Sequence, residues 1–220
     1  MQEQVLGQPT FANALKLFPK ISRNKSYLKM VRVRDGVASI TDGKILLRRS
    51  MLVPDEQKPG FMRAAMPDGA YDVKIGGALV PTYRSDWMKY PDIDLIKPRN
   101  FEDLKPLCTI NNEMIGMFIE YLEEVKKHDG TIVIDNAGIW MIQNKTFGIA
   151  FPFNIGMPIS LDPELLQVVF IELTRYPHVF MTREFRPADE DKQITPLIFG
   201  LNWLHCGLIM PLTGWEADND

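Results

Sequence analysis

The chain has 220 residues, 45% of them apolar and 24% charged, and a formal net charge of −3 from 25 basic and 28 acidic side chains. That is the composition of an ordinary globular protein, long enough for one large domain or two of about 110 residues, and it makes no global case for nucleic-acid binding. No stretch nears the about 18 uninterrupted apolar residues of a membrane span, MQEQVLGQPT is no signal peptide, and Cys108 and Cys206 alone make no disulfide framework, so a cytoplasmic protein with free thiols is expected.

Phe11, Leu15 and Phe18, with Ala14 and Leu17 beside them, fall at helical spacing and predict an amphipathic first helix. From Tyr27 to Met51 the pattern changes to a meander. Val31 and Val33 alternate with Arg32 and Arg34 as in a half-buried strand. Asp35-Gly36 and Asp42-Gly43 supply tight turns, the second before the run Lys44 to Leu47. The charge is segregated here. Between Lys16 and Arg49 the basic residues are opposed only by Asp35 and Asp42, while acids gather at 120–124, 189–191 and in the tail 216–220. Such a distribution fits either one face turned toward an anion or a solvated basic surface on an acidic protein.

After Met51, Pro54, Pro59, Gly60, Pro67, Gly69, Gly76-Gly77 and Pro81 recur too often for a helix to persist. Segments 70–75 and 78–83 can form a hairpin around Gly76-Gly77, and 87–98 has the proline content of an extended connector. A second unit opens at Thr109: Asn111 or Asn112 caps a helix bearing Met114, Ile115, Phe118, Tyr121, Leu122 and Val125, and strands follow at 131–135, 139–143 and 147–151. In a third unit Asp162-Pro163-Glu164 starts a helix that runs to about Thr174, since the carboxylate caps free amides and proline suits the first turn. Strands at 179–185, 197–201 and 205–212 complete it. The helix-plus-meander pattern thus occurs three times at a period of about 50 residues, with an ill-matched stretch at 52–103 where a fourth would stand.

No catalytic constellation emerges. His128, His178 and His205 lack zinc-ligand spacing, neighbouring His205 and Cys206 on a strand face opposite ways, and no phosphate-binding or nucleophile-elbow motif is present. The phenylalanines at 147, 151, 153, 180, 185 and 199 are expected in the core rather than stacked on bases. The twelve methionines suit core filling or a surface that adapts to several partners.

Three segments nevertheless resemble the sliding clamps of DNA polymerases, above all the bacterial β clamp. They are Thr41-Asp42-Gly43-Lys44-Ile45-Leu46 after the helix and first strands, Tyr90-Pro91-Asp92 with Pro98 further on, and Leu208-Ile209-Met210-Pro211-Leu212 near the C-terminus. The resemblance implies an α+β DNA clamp fold of repeated helix-plus-meander half-units in two clamp-like domains. These are 1–98, with an irregular second half and the connector, and 99–220, with an acidic tail. It implies a short, phage-type processivity factor, not an enzyme and without cofactor or metal, that encircles duplex DNA as a homotrimeric ring. Such a ring tethers the polymerase, the clamp loader and other partners through short peptide motifs. By the same resemblance, Lys16, Lys20, Arg23, Lys25 and Lys29 would face duplex phosphates. The partner peptide would sit between Thr41, Gly43, Lys44 and Leu46 on one side and Met210, Pro211 and Leu212 on the other. Only the first helix is basic, however: Glu120, Glu123 and Glu124 lie on the second, Glu164 and Glu172 on the third. A clamp-fold module that binds replication proteins without encircling DNA is therefore the alternative.

Overall fold

The computed structural model describes residues 9–21, 30–74, 77–82, 90, 92–93, 97–98, 101–104, 106–127, 132–134, 139–142, 148–150, 159–183 and 196–211. The first helix, α1, spans Pro9–Ile21 and is followed by β1 (Met30–Arg34), β2 (Val37–Thr41) and β3 (Ile45–Ser50). Asp35 and Gly36 take positive φ of 51° and 71°, the double left-handed turn that matches the twist of paired strands. A short hairpin not anticipated from the sequence, β4 (Leu52–Pro54) with β5 (Met62–Ala64), leads to the expected pair β6 (Gly69–Val73) and β7 (Leu79–Pro81). Among the described residues, 52–103 contain no α-helix, in keeping with their prolines and glycines.

The rest of the chain comprises β8 (Cys108–Asn111), α2 (Asn112–Lys127), β9 (Ile132–Ile134), β10 (Ile139–Ile142), β11 (Gly148–Ala150), β12 (Ile159–Leu161), α3 (Pro163–Leu173), β13 (His178–Arg183), β14 (Leu197–Asn202) and β15 (His205–Ile209). Asn111 caps α2 by accepting from the Met114 amide at 2.8 Å, and Asp162 caps α3 by accepting from Glu164 and Leu165. The single-strand steps β8 and β12, which precede the two helices, carry no turn signal and were not expected.

Antiparallel pairing assembles a nine-stranded sheet in the order β7-β6-β1-β2-β3-β15-β14-β13-β8 and a four-stranded sheet in the order β11-β10-β9-β12. The large sheet is joined in its middle by β3 and β15, with Leu46 opposite Leu208 and Ile45 opposite Ile209. One of its faces carries the helices. Val31, Val33, Ala38, Ile40, Ile45, Leu47, Leu197, Phe199 and Ile209 point there into a core with Phe11, Leu15, Phe118, Leu166 and Phe170. Helix α3 packs against both α1 and α2, so its residues are buried almost all round. Gly207 permits its approach to the sheet, since a Cβ there would stand 2.5 Å from a Val169 methyl.

A buried charge cluster crosses the same junction. Glu172 of α3 lies 3.7 Å from Arg49 of β3 and 3.6 Å from Arg175. The Arg49 guanidinium also stacks over Phe11 of α1, and Tyr176 bonds His205 Nδ1 at 2.8 Å. Side chains from α1, β3, α3 and β15 thereby bind the N-terminal meander to the C-terminal one.

Candidate functional site

The Thr41-Asp42-Gly43 turn is built by its own side chains. Thr41 Oγ1 donates to the Ile45 carbonyl at 2.6 Å and accepts from the Gly43 amide at 3.1 Å. Asp42 Oδ1 accepts from the amides of Lys44 and Ile45 at 2.9 and 3.0 Å. Both side chains are buried, which fixes the turn, and Gly43 is needed because its φ is 91°. Beyond the end of β15 the Met210 amide donates to the Lys44 carbonyl at 2.7 Å. Thr41, Gly43, Lys44, Leu46, Met210 and Pro211 are consequently brought to one seam, with Gly43 and Lys44 exposed, Met210 half-buried and Pro211 buried. Leu46 is fully buried beneath the seam. Leu212 lies outside the described residues.

Strand alternation turns Leu46 and Arg48 of β3, Cys206 and Leu208 of β15, and Ile198 of β14 away from the helices. There they form a second apolar layer with Trp203, covered by Tyr90, Ile93 and Phe101 and flanked by Met210. The hydroxyl of Tyr90 donates to the Ser39 carbonyl at 3.0 Å, and complete burial drives its pKa far up, so it stays a neutral donor. Arg48 stacks over Trp203 at 4.7 Å, and Phe101 meets the same indole at 5.5 Å. Lys97 and Glu102 pair at 2.5 Å beside this cover, and that bond holds the Glu102 carboxyl below its ordinary pKa. Those covering residues carried no signal by composition; only the neighbouring Tyr90-Pro91-Asp92 motif pointed to them.

Next to this layer a cleft of about 370 Å³ opens between Phe101, Glu102, Leu104 and Pro106 on one side and the outward faces of β13 and β14 on the other. Its wall is mainly Phe101, Leu104, Phe180, Ile198, Leu201 and Trp203. Its residues come from three segments that only the sheet brings together, and of these the connector at 84–103 alone was a candidate from the sequence.

The opposite, helical face is less basic than the first helix alone suggests. Lys16 is exposed on α1 and bonds Asn13 at 3.1 Å, and Lys20 lies one turn further along the same helix. Arg23, Lys25 and Lys29 lie outside the described residues. The exposed side of α2 carries Glu113, Met117, Glu120, Glu123, Glu124 and Lys127. Lys126 and Glu123 both bond Gln167, which ties α2 to α3.

Among the described residues no group of three or more His, Cys, Asp or Glu could hold a metal ion. Burial pushes both thiols up to about 12, which keeps Cys108 and Cys206 protonated at neutral pH. Nor is any described helix long and apolar enough to cross a membrane.

No protein-family model matches the sequence, and no curated protein does. Solved structures do. The Helicobacter pylori beta clamp bound to a DNA ligase peptide superposes with a TM-score of 0.55 at 12% identity, over 97% of this chain and 64% of that one. The same clamp with 3,4-difluorobenzamide gives 0.50 at 12% identity, over 94% and 64%. DNA polymerase III subunit beta from Borrelia burgdorferi, in complex with a natural product, gives 0.50 at 12% identity, over 93% and 62%. This chain thus spans less than two thirds of the length of those structures, and at such identity the likeness establishes the fold. The fold is that of the beta clamps, mixed α and β with few helices on a large antiparallel sheet.

Proposed function

We propose that this chain is a DNA polymerase processivity factor of the sliding-clamp type, a short, phage-type clamp of two clamp-like units, 1–98 and 99–220. It holds a polymerase and other replication proteins by short peptide segments and catalyses nothing itself. The observation that carries this reading is the seam between β3 and β15, where the Thr41-Asp42-Gly43 turn and the strand ending in Met210-Pro211 lie side by side above an apolar layer. A structural neighbour, the Helicobacter pylori beta clamp, binds a DNA ligase peptide, which supports partners of that class here. In a closed homotrimer, basic side chains such as Lys16 and Lys20 guide the duplex through sequence-independent phosphate contacts.

The acidic outward side of α2 favours a second reading, in which the same seam binds partners and no DNA is encircled. Two measurements separate them. A ring is a trimer in light scattering at tens of micromolar and is retained on circular DNA but lost on linearisation. A stable monomer that still binds polymerase supports the second reading. Replacing Met210 and Leu212 by alanine should abolish polymerase binding under either, with the thermal midpoint nearly unchanged. Undiminished binding by that double variant overturns the seam as the partner site.

A further inference from the structure

The β3–β15 ladder joins the N-terminal meander to the C-terminal one, and its two ends differ in chemistry. At one end Ile45 stands opposite Ile209, and the Met210 amide bonds the Lys44 carbonyl. At the other end His205 stands opposite Arg49. Directly opposed residues of an antiparallel pair point to the same face with their Cβ atoms about 4.5–5.5 Å apart, so the imidazole shares the helical face with the Arg49 guanidinium. The chain just beyond α3 closes over them. It supplies Tyr176, whose hydroxyl bonds His205 Nδ1 at 2.8 Å, and Arg175, whose guanidinium lies 4.8 Å over the Tyr176 ring. Glu172 of α3 pairs with both arginines. Cys206, the next residue on the same strand, faces the other way as a buried, protonated thiol, and on β14 the residue opposite His205 is the neutral Asn202.

With the ring neutral, this junction holds two cations and one carboxylate. A proton on the ring makes three cations against that one carboxylate, two of them face to face across the ladder, and like charges directly opposed destabilise a strand pair. The proton also reverses the bond to Tyr176. A neutral ring accepts at Nδ1, whereas an imidazolium carries N–H on both nitrogens and only donates. We infer that His205 is a proton-operated latch between the two meanders: the neutral ring holds the β3–β15 ladder closed, and protonation opens it from the His205–Arg49 end toward the seam. The opening is local, as the stability of a fold differs from one element to the next. Its sign follows from the surroundings of the ring. In the opened ladder the imidazole meets water and takes up its proton near pH 6.5, while in the closed ladder burial and the two arginines lower that value. The latch is therefore shut above about pH 6.5 and loosens as the pH falls. It acts on the junction itself and stands whether or not the seam receives a partner.

Backbone hydrogen exchange at about pH 7 and about pH 5.5, corrected for the intrinsic pH dependence of amide exchange, reads the latch. On acidification, protection at residues 45–49 and 205–209 should fall at least about threefold more than at 179–182 and 197–200, the strands of the neighbouring β13–β14 ladder. That excess loss should vanish in His205→Asn, which cannot take up the proton. The Cε1–H resonance of His205, assigned through its contact with the Tyr176 ring, should titrate below 6.5. Equal loss of protection in the two ladders, or a His205 titration at or above 6.5, overturns the inference. Both of these readings come from the parent protein and do not depend on the variant folding. An excess loss that persists in His205→Asn overturns it as well, because the proton then acts elsewhere. None of these readouts involves polymerase or DNA, so failure here is distinguishable from failure of the clamp reading.

Discussion

His205 bonds Tyr176 and lies within the influence of Arg175 and Arg49, and this environment fixes a sign for the response to pH. Burial, then the guanidiniums of Arg175 and Arg49, push its pKa below the ordinary 6.5. The groups that act on it are the two cations and the Tyr176 phenol, whose own pKa burial raises, and both cations pair in turn with Glu172. A neutral ring accepts at Nδ1 from the Tyr176 hydroxyl. In the unfolded chain His205 takes up its proton near pH 6.5, and in the folded chain only at lower pH, so between those values the unfolded state binds more protons. Stability from this group is present above about 6.5 and is lost as pH falls. The thermal midpoint should therefore drop between pH 7 and pH 5 more steeply in the parent than in His205→Asn. Equal slopes would mean that the histidine does not couple to folding. Carboxylates titrate in the same range, which is why the difference between the two proteins, rather than either slope, is the quantity to measure.

At the scale of elements, α3 is the piece whose placement decides the packing, and it touches the sheet through Gly207. The Val169 methyls would lie 2.5 and 2.8 Å from a Cβ at that position, so Gly207→Ala must push the helix outward or distort Val169. Overpacking of this kind costs about 1–3 kcal/mol, and urea unfolding should show a midpoint lowered without a change in slope. A loss below about 0.5 kcal/mol would mean that the helix yields freely. The helix itself was legible: Asp162-Pro163-Glu164 announces its start, and the Asp-Gly pairs announce the turns of the first meander, because both are local physics written in adjacent residues. Strands β8 and β12 were not, being four and three residues long with pairing partners far along the chain. The hairpin β4–β5 escaped for another reason. Its strands are mostly exposed, so no alternation of buried and solvent positions marks them. At the candidate site the Thr41-Asp42-Gly43 motif and the C-terminal strand could be found in the sequence. The full lining of the Trp203 cleft could not, since Phe101 and Leu104 meet Phe180 and Ile198 only through the fold.

For the molecule as a whole, the two faces of the large sheet differ in what they carry. The outward face holds the apolar layer and the seam, where the proposed function puts short peptides. The helical face is where a clamp reading puts the duplex, and there α1 and α2 oppose each other in sign, with Lys16 on one and Glu113, Glu120 and Glu124 on the other. A ring held by closure tolerates such a lining because phosphate contacts only guide sliding, yet each carboxylate near the duplex still repels it. Glu113 and Glu120 serve as the test because neither bonds α3, whereas Glu123 reaches Gln167 and Glu124 pairs with Lys127 at 2.5 Å. Replacing both by glutamine removes two negative charges without touching the buried side of α2, where Ile115, Phe118, Leu122 and Val125 pack. If the helices face DNA, retention on circular DNA at about 50 mM salt should lengthen at least threefold, and the gain should vanish near 0.5 M, where screening is nearly complete beyond a few ångströms. The same variant should bind polymerase as the parent does, because the seam lies on the opposite face. Unchanged retention at low salt would place the duplex away from these helices and leave the protein a clamp-fold module that recruits partners from its outward face alone.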